Sequence, residues 1–109
     1  MSVTMVRQKV KDGSLEEAVV AVRELFATLD RVRPEGLRYA STRVVDSSTF
    51  VILTELADGA EDPRPAIPGF LQFLEQLKEW TDGPPVIERL DVVGSYGLFG
   101  TQREESAAR

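Results

Sequence analysis

An α+β fold, with a four-stranded antiparallel sheet and two helices on one face, is predicted by three observations. The apolar residues change four times between alternation and a helical period, in the order strand, helix, strand, strand, helix, strand. Turn formers stand between the runs: Asp12-Gly13, Pro34-Glu35-Gly36, Asp46-Ser47-Ser48 and Asp82-Gly83-Pro84-Pro85. The 109 residues, 42% hydrophobic and 28% charged, have the length and composition of one folded domain. We read residues 1–100 as that domain and 101–109, polar and aperiodic, as a mobile C-terminal tail.

Residues 3–11 form the first strand, with Val6 and Val10 on one side and Arg7, Lys9 and Lys11 on the other. Ser14-Leu15-Glu16-Glu17 has the spacing of a capping box and starts a helix whose apolar stripe is Leu15, Ala18, Val19, Val22, Leu25, Phe26 and Leu29. Pro34-Glu35-Gly36 ends that helix, because proline disfavours helical geometry in the residue before it. Residues 37–45 and 49–56 are hairpin strands around Asp46-Ser47-Ser48. Residues 57–68, with three Pro, are a long loop of the kind that often serves as a lid. Phe70, Phe73, Leu74, Leu77 and Trp80 give a second helix its apolar face, and the last strand is expected from Val86 to about Phe99. This order is the ferredoxin-like βαββαβ unit, in which right-handed crossovers put both helices on one side.

Phe50 and Ile52 face one way and Val51 and Leu53 the other, so the sheet is apolar on both sides while helices cover only one. An uncovered apolar sheet face marks an interface, and the economical partner is a second copy packed sheet to sheet as a homodimer.

The chain has no His and no Cys. That excludes a Ser-His-Asp triad, a Cys-His dyad, a thiolate zinc site, an iron-sulfur cluster and a His-ligated haem. A net charge of -5 argues against a phosphate-binding surface, so no nucleic-acid partner is expected. No apolar run approaches membrane-span length and no signal-peptide core is visible, so neither membrane association nor export is expected, and we read the protein as cytoplasmic. Asp58, Glu61 and Asp62 lack the spacing of a calcium loop and read as solvated loop acids; no metal site is assigned. Gly94, Gly97 and Gly100 do not form the dinucleotide fingerprint and read as twist or bulge positions.

The remaining polar and aromatic residues supply the candidate site. Arg89 and Asp91, two apart on the last strand and on one face, are the candidate catalytic pair: an Arg to hold an enolate or carboxylate, and an acid able to accept a proton if burial raises its pKa. Glu55 or Arg7 on neighbouring strands is within their expected reach, and a plain inter-strand or inter-subunit salt bridge competes with this reading. Tyr39, Glu55, Phe73, Trp80 and Tyr96 are the candidate ligand contacts, the tyrosines through their hydroxyls and Trp80 by stacking. Core packing competes for the aromatics, and pairing with Arg38 or Arg43 for Glu55. An enzyme on this frame should show a cavity lined by Arg89, Tyr39 or Trp80, whereas filling by Phe70, Phe73 and Leu77 argues against an oxygenase.

Gly36-Leu37-Arg38-Tyr39, Phe50-Val51-Ile52-Leu53-Thr54-Glu55, and the Phe/Leu-rich second helix leading into the final strand resemble the antibiotic biosynthesis monooxygenase family of dimeric α+β barrels, over residues 3–99. The resemblance implies a dimer with a small-molecule pocket between sheet and helices in each subunit. It also implies, among several activities, cofactor-free oxygenation of aromatic or polyketide-like substrates, with no metal or flavin. The chain departs from the family pattern: Leu56 stands where a Trp is common, and there is no Asn and no His. The haem-degrading branch, which ligates iron through His, is thereby excluded. Substrate-driven oxygenation, a non-catalytic ligand-binding or scaffold dimer, and a muconolactone-type isomerase remain, and fold alone does not choose among them.

Overall fold

A computed structural model describes residues 1–98 of the chain. The expected tail, with Phe99 and Gly100, lies outside these residues. Six elements follow in the predicted order: β1 (Ser2–Lys9), α1 (Leu15–Val32), β2 (Leu37–Arg43), β3 (Thr49–Leu56), α2 (Phe70–Trp80) and β4 (Val86–Leu90). All strand pairs are antiparallel and the order across the sheet is β2-β3-β1-β4, the ferredoxin-like arrangement.

Local sequence accounts for most element ends. At the start of α1, Glu16 and Glu17 meet the positive end of the helix dipole, and Arg31 lies in its last turn. The capping box does not form. A short 3-10 turn over Asp12–Ser14 leads into α1 and leaves Ser14 at φ -110° and ψ 3°, outside the extended geometry that carries a cap hydroxyl over the first amides. At the other end Arg33 adopts a left-handed conformation, φ 51°, and its N–H donates to the Leu29 carbonyl at 2.8 Å, directly before Pro34. Gly36, at φ +77°, then turns the chain into β2.

The last strand is shorter than expected. It stops at Leu90, opposite Val3 of β1. Asp91 to Leu98 are therefore outside the sheet, and Val93 and Tyr96 are 97% and 100% exposed. The hairpin also narrows at β2, which ends at Arg43, with Val44 and Val45 joining the turn where Asp46 has positive φ.

Cross-strand partners share a face, so register sorts the side chains. Tyr39, Phe50, Ile52, Thr54, Val6 and Ile87 stand on the helix side, and Ala40, Val51, Leu53, Val3, Met5 and Leu90 on the uncovered side. The core under the helices has two clusters: Leu25, Ile67, Phe70 and Phe73, and, nearer the hairpin turn, Val10, Ala18 and Phe50 with Trp80 against them. No helix among the described residues is long and apolar enough to cross a membrane.

Candidate functional site

One transverse row of the sheet is polar on the helix side. Tyr39 of β2 pairs with Thr54 of β3, Thr54 with Thr4 of β1, and Thr4 with Arg89 of β4. With strands about 4.8 Å apart, the row is about 14 Å long. Its Tyr39 end is roofed by the segment between β3 and α2, and there the ionisable groups gather.

That segment is a strap fastened at both ends. The Ala57 N–H donates to the Gly36 carbonyl at 2.9 Å, and a Cβ on Gly36 would come within 3.1 Å of the Ala60 Cβ. Ile67 is buried in the core beside Phe70. Between these anchors Asp62-Pro63-Arg64-Pro65 makes a rigid turn: proline sets the backbone on both sides of Arg64, and the Asp62 carboxylate accepts the Arg64 backbone N–H at 3.0 Å, an Asx-type closure. The turn delivers the Arg64 side chain onto the sheet.

The guanidinium lies 5.2 Å from the Tyr39 ring centroid and 5.8 Å from that of Phe70. Tyr39 in turn stacks on Phe26 of α1, ring centroids 5.1 Å apart and planes 19° apart. Arg64 Nη1 donates to Oγ1 of the buried Thr54 at 3.3 Å, and Nε and Nη2 donate to the Asp62 carboxylate at 3.0 and 2.7 Å. The hydrogen bonds from Arg64 hold the Asp62 carboxyl below the usual carboxylate range, and those from the guanidinium to Asp62 raise Arg64 in turn. Burial pushes the Tyr39 phenol up against the opposing pull of Arg64, so near neutral pH the phenol keeps its proton and can donate it in a hydrogen bond. The result is a fixed cation on an aromatic wall, with a neutral phenol beside it.

The structure distributes the sequence-selected residues unevenly. Tyr39 is in this cluster. Arg89 shares its row but sits exposed at the far edge. Glu55 is on the opposite face of the sheet, between Val3 and Arg38, so it does not meet Arg89; Arg7, opposite Val86, is also on that face. Asp91 lies past the end of β4, so the expected same-face alternation with Arg89 does not hold. Phe73 is buried in the first core cluster, and Trp80 packs against the second. Tyr96 projects into solvent.

Asp62, read from sequence as a solvated acid, is instead the partner of Arg64, and Arg64 was not among the candidates. Its signal was the Asp-Pro-Arg-Pro string, an Asx turn before a proline-framed cation. Of the other loop acids, Asp58 pairs with the N-terminal amine. Among the described residues no group of three or more acids is placed to hold a metal.

Beside Tyr39 the space between sheet and helices is closed by Arg64, Ile67 and Phe70, and Phe73 and Leu77 fill the region beneath α2. Two surface depressions lie elsewhere: one of about 380 Å³ beside Asp12, Arg43 and Asp46, and one of about 220 Å³ between α1 and α2 near Thr28, Gln72 and Gln76. Neither includes Arg89, Tyr39 or Trp80. The filled interior weighs against a preformed oxygenase cavity.

No family model matches the chain, and no curated protein matches its sequence. Solved structures match its fold. A structure of an antibiotic biosynthesis monooxygenase superimposes with a TM-score of 0.68 at 18% identity, over 86% of this chain and 100% of that one. A protein of unknown function from Nitrosomonas europaea gives 0.68 at 15% identity, over 87% and 91%. SnoaB, a cofactor-independent oxygenase from Streptomyces nogalater solved as a mutant, gives 0.62 at 21% identity, over 86% and 95%. At these identities the likeness is one of fold: the chain has the architecture of the antibiotic biosynthesis monooxygenase structures.

Proposed function

We propose that this chain, built on the antibiotic biosynthesis monooxygenase fold, is a small-molecule-binding protein whose ligand is a planar aromatic or polyketide-like compound. The observation that carries the reading is the Arg64 guanidinium held on the Tyr39 and Phe70 rings at the sheet-helix interface. An aromatic wall with one fixed cation and one phenol suits a flat molecule bearing an anionic oxygen. The ligand lies along the Tyr39-Thr54-Thr4-Arg89 row, its anionic group at Arg64 and its far end toward Arg89. The strap around Asp62 must give way for it to enter, since the interior beside Tyr39 is closed.

A second reading, cofactor-independent oxygenation, draws on the same cation and on the fold shared with SnoaB. There the substrate anion reacts with oxygen directly, one oxygen atom replacing two hydrogens of an anthrone methylene as a carbonyl and the other leaving as water. The protein contributes desolvation and a group that holds the anion. One experiment separates the two readings: fluorescence titration and oxygen uptake with a panel of anthrones and aromatic quinols, on the native chain and Arg64→Gln. We expect saturable binding weakened about tenfold or more in Arg64→Gln, by loss of a charge-assisted hydrogen bond. Oxygen uptake lost in the same variant establishes the oxygenase, and binding without uptake establishes the binding protein. Binding that Arg64→Gln leaves unchanged contradicts both.

We further infer that a second copy covers the open sheet face. Val3, Met5, Ala40, Val51, Leu53 and Leu90 give that face an apolar centre, and Arg7, Lys9 and Arg38 with Glu55 and Glu88 give its margin both signs of charge. Such a surface is self-complementary about a two-fold axis.

A further inference from the structure

The Arg64 guanidinium has little room for a ligand in its present state. The Tyr39 and Phe70 rings lie against it. In its plane, Nη1 is directed to Thr54, and the Nε and Nη2 edge, the fork that matches a carboxylate, is taken by both oxygens of Asp62. A planar anion that takes this edge by two parallel hydrogen bonds has to displace Asp62, and the end-on pair of Nη1 and Nη2 is already engaged in part by Thr54 and Asp62.

We propose that Asp62 is a built-in competitor for the ligand's anionic group, a latch that keeps Arg64 occupied until an aromatic carboxylate or phenolate displaces it. The proposal rests on the ligand site described above and adds its regulation. The two partners are unequally placed for such an exchange. The Asp62 side chain is 34% exposed and that of Arg64 23%, so the carboxylate is the partner nearer to water and is solvated there when displaced, while the cation stays on its rings. Apart from Arg64, no hydrogen-bond partner of the Asp62 carboxylate is seen among the described residues. Once displaced, Asp62 still lies near the bound anion and repels it, so its charge opposes binding in both positions.

The test is titration of the full chain with 1-naphthoate and with 1-naphthamide, its uncharged analogue, followed by fluorescence. Asp62→Asn and Asp62→Ser should each bind 1-naphthoate about three- to tenfold more tightly than the native chain, as expected for freeing a bidentate, partly exposed pair. Binding of 1-naphthamide should be the same in all three, and Arg64→Gln should abolish the preference for the anion. Two different replacements, each checked for native circular dichroism, keep the result independent of any one variant's folding. If neither Asp62 variant gains affinity for 1-naphthoate while Arg64→Gln still loses it, the latch is overturned and the site stands. If both probes tighten equally in the Asp62 variants, the strap has merely loosened and the latch is again overturned. Absence of 1-naphthoate binding in the native chain and both Asp62 variants at millimolar concentration overturns the site and the latch together.

Discussion

Phe70→Ala is expected to lower the free energy of unfolding by about 3–5 kcal/mol, a large part of the roughly 5–15 kcal/mol typical of a domain of this size. Phe70 is 6% exposed, packs with Leu25, Ile67 and Phe73, and supports the Arg64 guanidinium on its ring. The truncation leaves a cavity at the point where strap, α1 and α2 meet, so stability and ligand binding should fall together. Urea denaturation followed by Trp80 fluorescence measures the first effect. Leu71→Ala on the same helix is the control: Leu71 is 59% exposed, and its truncation should cost no more than about 0.5 kcal/mol. Equal losses at the two positions would mean that α2 does not bury the face described.

Leu53→Asp is expected to convert a dimer into a monomer. Leu53 stands at the middle of the uncovered face, flanked in its row by Met5 of β1 and Ala40 of β2. A carboxylate there would be buried without a partner in a sheet-to-sheet dimer, a penalty of several kcal/mol per subunit. It would remain solvated in a monomer. Light scattering should give the mass of two chains for the native protein and one for the variant, with the Arg64 site on the other face still competent. A native protein that is monomeric at micromolar concentration contradicts the sheet-face interface.

How far the sequence could be read depended on whether local pattern or distant contact decided the outcome. The stripe Leu15 to Leu29, the hairpin around Asp46-Ser47-Ser48 and the helix from Phe70 to Trp80 are local, and their order was enough for the sheet topology. The end of β4 is not local. Val92 to Leu98 is as apolar as a strand, yet it lies outside the sheet, and its own pattern does not say whether β1 is there to pair with it. The site is harder still to read. Tyr39, Thr54, Asp62, Arg64 and Phe70 meet through the strap, and nothing in the spacing from Tyr39 to Arg64 announces it. Trp80 and Phe73 carried the residue types of a ligand wall, but helix periodicity had already committed them to the core. Arg89 lies on the helix side of the sheet in the row of Tyr39, at the end away from the cluster.

The central claim is that a planar aromatic anion binds Arg64 beside Tyr39 under the strap. It is tested most directly by nuclear magnetic resonance during titration with 1-naphthoate, observing the Arg64 Nε–H and the Tyr39 ring protons. The account predicts saturable changes at both, with smaller ones at Phe26 and Phe70, and their disappearance in Arg64→Gln. Unchanged Arg64 and Tyr39 signals, with changes at Leu53 and Met5 on the open face or around Arg43 and Ser48 at the hairpin, would contradict it.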